Sequence, residues 1–126
     1  MYETKFTFGV ETNLDMQAAR TKVEELLKEE GFGILTEIDV KATLKKKLDE
    51  DFRPYLILGA CNPKIAHQAF KQELEIGAVL PCNVIVYEND KGGTNIGFMD
   101  PKAALGIVGA PGLEEFAGMV TERLKR

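Results

Sequence analysis

"NVIVYENDKGGTNIGFM", residues 83–99, is the stretch that decides the fold. Residues 83–88 and 94–99 are β-favouring runs rich in Val, Ile, Tyr and Phe. Between them, residues 89–93 end in two glycines that supply the positive φ a tight reversal needs. A hairpin of this kind forces antiparallel pairing, which argues against a doubly wound parallel sheet.

Working outward, "KFTFGVET" (5–12) sets Phe6, Phe8 and Val10 against Thr7, Gly9 and Glu11, the period-two pattern of a strand buried on one side. Thr12 or Asn13 is positioned to cap a helix carrying Met16, Ala19, Val23, Leu26 and Leu27 at helical spacing, and Gly31 stops it. "FGILTEIDV" (32–40) alternates again and reads as a second strand with a wetter face. Residues 41–49 place Leu44 and Leu48 four apart among lysines, a short amphipathic surface helix. "YLILGAC" (55–61) is apolar at nearly every position, as an inner strand covered on both sides or lying at a subunit contact would be, and is the best candidate for the sheet centre.

Asn62 caps the next helix and Pro63 takes its first position, where a missing N–H costs nothing. That helix runs to about Glu73 with Ile65, Ala66, Ala69 and Phe70 as its apolar face, and residues 74–81 link it to the hairpin. Asp100 and Pro101 repeat the same cap logic for a short helix. Leu113, Phe116, Ala117, Val120 and Leu124 then mark a final amphipathic helix. The expected fold is α+β and two-layered, a largely antiparallel sheet with two long helices on one face, built from a single domain over residues 1–126.

Composition narrows the function. The chain is 44% hydrophobic, 29% charged and carries a net charge of −4, so its field opposes nucleic-acid backbones and acidic membranes. The expectation is no nucleic-acid partner, no membrane span and no secretory leader, hence a cytoplasmic location. The lysines of 41–49 read as a solvated helix face. The chain holds no serine, and "VGAPG" lacks both the lysine and the preceding strand of a phosphate-binding loop.

The chemistry concentrates in two cysteines and one histidine. Cys61 ends the apolar strand just before a helix cap, a setting that lowers a thiol pKa through the helix dipole and free amides. Cys82 opens the following strand, and the two sulfurs meet at one sheet edge if those strands run antiparallel. His67, the only histidine, falls on the fifth helical residue after Asn62. Two thiolates and an imidazole supply three of four ligands for a soft metal such as zinc or copper, with Glu73, water or a partner subunit as the fourth. The spacing matches no zinc-ribbon or finger pattern. Against that site stands the reading of both cysteines as small hydrophobes in the core of a non-enzymatic, self-associating module. An enzyme using Cys61 as nucleophile lacks an identifiable orienting group and oxyanion donors, so the balance leans away from catalysis.

At "ILGACNP", "IGAVLPCNVIVYE" and "FMDP" the chain resembles the domain-of-unknown-function 302 family, through Gly59, Asn62, Pro63, Leu80, Pro81, Asp100 and Pro101. The resemblance spans nearly the whole chain. It implies a small α+β fold similar to one half of the TATA-binding protein, with a curved antiparallel sheet, and a homodimer. It supplies no activity. Many members of the family have an apolar residue where this chain has Cys61 or Cys82, and the chain resembles the subgroup that carries both thiols.

Overall fold

The computed structural model describes residues 2–79 and 82–100, and the helices expected after Asp100 lie outside them. In chain order the elements are β1 (Tyr2–Glu3), β2 (Thr7–Thr12), α1 (Met16–Glu29), β3 (Gly33–Asp39), α2 (Val40–Leu48), β4 (Tyr55–Cys61), α3 (Pro63–Gln72), a 3₁₀ segment (Leu74–Val79), β5 (Cys82–Glu88) and β6 (Thr94–Met99). The strands form one sheet in the order β1-β2-β6-β5-β4-β3, every pairing antiparallel.

The β5–β6 hairpin forms as its sequence predicts. Asn89 accepts bonds from the Lys91 and Gly93 amides through Oδ1, and Gly92 sits at φ 83°. Helix α1 is capped by Asp15, whose Oδ1 accepts from the Ala18 amide at 2.8 Å, and not by Thr12 or Asn13. The reason is that Thr12 is still paired in β2, opposite Thr94, so the chain is not free to turn until three residues later. Gly31 ends the helix at φ 85°. The Asn62 cap is as expected: its Oδ1 accepts from the Ile65 amide and Pro63 opens α3.

Three features differ from the sequence reading. Residues 2–3 add the edge strand β1, too short to show a period. The sheet centre is β6 and β5, with β4 one place in from the β3 edge. Helix α2 buries none of its residues, and Leu48 stands 65% exposed.

The core lies on one side of the sheet. Ala19, Val23 and Leu27 of α1 and Ile65 of α3 pack with Phe8, Leu58, Ala60, Val84, Val86 and Ile96, the inward-facing positions of four neighbouring strands. Arg20 ties α1 to β3 by an ion pair to Glu37 and is held along α1 by a second pair to Glu24 at 2.7 Å. The remaining positions of the strands make an outer face on which no described helix is packed into the core.

Candidate functional site

Cys61 and Cys82 are neighbours, because β4 and β5 are antiparallel and Ala60 stands opposite Cys82. The offset of one residue matters more than the proximity. Strand side chains alternate, so Cys82 turns inward with Ala60 while Cys61 turns to the outer face. Cys82 is buried in the core and Cys61 is half-buried, and both are free thiols.

The expected lowering of the Cys61 pKa is not found. Burial pushes Cys61 upward, and burial followed by the neighbouring Cys61 pushes Cys82 up to about 11. Desolvation outweighs the helix end here. The helix start also offers fewer donors than most: Pro63 has no N–H and the Ile65 amide is bonded to Asn62. Near neutral pH both groups are therefore protonated thiols. His67 is exposed, on the side of α3 away from the buried Ile65 and Ala69, and Glu73 is the residue closing that helix. Among the described residues no three His, Cys, Asp or Glu side chains group as a metal site.

The outer face holds a constellation the sequence reading missed. The register aligns Tyr55, Tyr87, Asn95 and Glu11 in one row across β4, β5, β6 and β2. The next row is Ile38, Ile57, Ile85, Gly97, Gly9 and Tyr2. Tyr55 and Tyr87 stack with ring centroids 5.1 Å apart and planes 9° apart, and Phe52 tilts against Tyr55. Asn89 Nδ2 donates to Asn95 Oδ1 at 2.8 Å, Asn95 Nδ2 donates to the Tyr87 hydroxyl at 2.9 Å, and Tyr87 is hydrogen-bonded to Tyr2. The Tyr2 ring lies over Gly9 and Gly97, where a Cβ would come within 2.7 Å of it.

Burial, then Tyr87, raises the Tyr2 phenol to about 12, and the same two causes raise Tyr55. The Tyr2 and Tyr55 phenols therefore stay neutral near pH 7, able to stack and hydrogen-bond but not to act as bases there. The period-two pattern of residues 83–88 and 55–61 already put Tyr87 and Tyr55 on one face. Tyr2 carried no such signal, since β1 is only two residues long.

Comparison with known proteins agrees with this architecture. The model for the domain of unknown function DUF302 matches residues 8–126. The crystal structure of an uncharacterized conserved DUF302 protein from Bacillus stearothermophilus superposes with a TM-score of 0.88 at 36% identity, covering 95% of this chain and 93% of that one. No curated protein matches.

Proposed function

This chain belongs to the DUF302 family, and from that premise we propose that it works as a non-enzymatic interaction module that pairs with a second copy of itself through the outer face of the sheet. One observation carries the reading: β4 is apolar on both sides, yet the described core covers only one. Leu58 and Ala60 are fully buried inward, whereas Tyr55 and Ile57 on the other side are half-buried and Ile38 beside them is 49% exposed. A strand written for two covered faces has one cover within the described chain.

Charge favours a second copy as the other cover. The chain is 29% charged and acidic, so two copies repel at most approaches. Tyr55, Ile57, Ile85 and Tyr87 bear no charge, and Glu11 is the one charged residue in the two rows described, which favours this face for bringing two copies together. In this reading the cysteines are packing residues. The test is sedimentation equilibrium or light scattering on the wild type and on Ile57→Lys and Ile85→Lys. A wild-type dimer and folded monomeric variants support the proposal, and a wild type that stays monomeric at micromolar concentrations overturns it.

A second reading keeps a thiol as a site for a soft ion such as zinc or copper, or for thiol cycling. Because Cys82 turns to the core and Cys61 to the outer face, such a site would be built on the half-buried Cys61 thiols of two paired copies. Elemental analysis of protein purified without added metal, beside the Cys61→Ala/Cys82→Ala variant, decides it: a stoichiometric metal lost in the variant supports a metal site, and equal background in both removes it.

A further inference from the structure

A cavity of about 310 Å³ opens where α1, α2 and β4 meet, bounded by Met16, Arg20, Asp39, Lys41, Tyr55 and Leu56. It lies at the Tyr55 end of β4, about 20 Å along the strand from Cys61, and shares only Tyr55 with the face proposed above for pairing. Its volume is that of a small-molecule site, with an apolar wall and a few converging polar groups.

The polar groups are of both signs. Arg20 donates through Nε to Glu37 and through Nη1 to Glu24, which leaves its Nη2 for a third acceptor. Lys41 has no ion-pair partner among the described residues. Asp39 caps α2 through Oδ1, which accepts from the Ala42 amide at 2.9 Å, and has its second carboxylate oxygen left over.

A simple anion would meet Asp39 together with the two glutamates already around Arg20. A simple cation would meet Lys41. A purely apolar molecule would desolvate Lys41 and Asp39 with nothing in return. We infer that this cavity is a binding site for a small zwitterion with an apolar side chain, the chemical class of a free hydrophobic amino acid. Its carboxylate faces Arg20 Nη2 and Lys41, its ammonium faces the free oxygen of Asp39, and its side chain lies against Met16 and Leu56, which pack on the core side of the sheet.

The test is an NMR titration of the full chain with L-leucine. Two truncated analogues accompany it: 4-methylpentanoate, which lacks the amine, and 3-methylbutan-1-amine, which lacks the carboxylate. The expected result is saturable 1:1 binding with shifts centred on the amides of Met16, Arg20 and Leu56, and each analogue weaker by at least about tenfold, as loss of a charge-assisted bond gives. Lys41→Met, on the exposed flank of α2, keeps the fold and weakens L-leucine by a similar factor. No saturation with L-leucine or L-phenylalanine at about 10 mM overturns the inference. So do equal affinities for the truncated analogues, or shifts centred elsewhere.

Discussion

Ala60 and Cys82 face each other across β4 and β5, and this one register relation separates the two thiols. Cys61, one residue past Ala60, points to the opposite side of the sheet from Cys82. An intramolecular disulfide between them would require a strand end to turn over, since the two Cβ vectors diverge. Oxidation of the native monomer is therefore expected to leave both thiols free by mass spectrometry, and any disulfide formed is expected to run between molecules through the half-buried Cys61.

The raised Cys82 thiol makes stability depend on pH in a defined direction. Its folded value is about 11 against an ordinary value near 9. Below pH 9 both folded and unfolded states hold the proton and the full stability is present. Above it the unfolded chain releases the proton first, so stability falls as pH rises from 9 to 11, by about 2–3 kcal/mol in total. Denaturant unfolding at pH 8, 9 and 10 measures the slope, and Cys82→Ala is expected to lower stability throughout while flattening it. Tyr2 adds a further fall between pH 10 and 12 that Tyr2→Phe removes.

Asn62 is buried and its cap bond to the Ile65 amide begins α3. Asn62→Ala is expected to cost about 1–2 kcal/mol, since a buried amide loses its partner. Asn62→Asp keeps the acceptor and costs less. Thermal unfolding of the two variants checks the order.

Much of the architecture was legible because it rests on local patterns. The hairpin was written in the two glycines after Asn89, α3 in Asn62 and Pro63, and the inward row of α1 in Ala19, Val23 and Leu27. What was not legible depends on partners distant in sequence. The Thr12 and Asn13 cap failed because Thr94, more than eighty residues on, holds Thr12 in a strand. The low thiol pKa failed because a helix start is visible in sequence and the burial that outweighs it is not. Tyr2 joins Tyr87 only through the pairing of Gly9 with Gly97, which no window of sequence contains.

Gly9 and Gly97 lie opposite each other beneath the Tyr2 ring, and their obstacles differ in kind. A Cβ at Gly97 meets the Tyr2 hydroxyl at 2.7 Å and the Ile85 side chain at 2.9 Å, groups that can move. A Cβ at Gly9 runs into the Ile96 carbonyl oxygen, which belongs to the adjoining strand and cannot move without breaking the ladder. Gly97→Ala is expected to destabilise by about 1–3 kcal/mol, as overpacking does, with part of the loss recovered in the Gly97→Ala/Tyr2→Ala double variant. Gly9→Ala is expected to cost more and to gain nothing from Tyr2→Ala. Denaturant midpoints across the two cycles distinguish the cases, and equal recovery in both would show that the ring alone limits the space.

Leu58 and Ile57 are consecutive residues of β4 on opposite faces, so truncating each reads one face of the sheet. Leu58 is fully buried against the described core, and Leu58→Ala is expected to cost about 3–5 kcal/mol at any protein concentration. Ile57 is half-buried on the outer face. If a second copy covers it, the loss from Ile57→Ala grows with protein concentration as the wild-type dimer is populated, because association stabilises only the folded state that pairs. Unfolding curves taken over a hundredfold range of concentration measure this directly. A concentration-independent loss of under about 1 kcal/mol for Ile57→Ala, the size expected of a partly exposed side chain, would mean that the outer face stays open in solution.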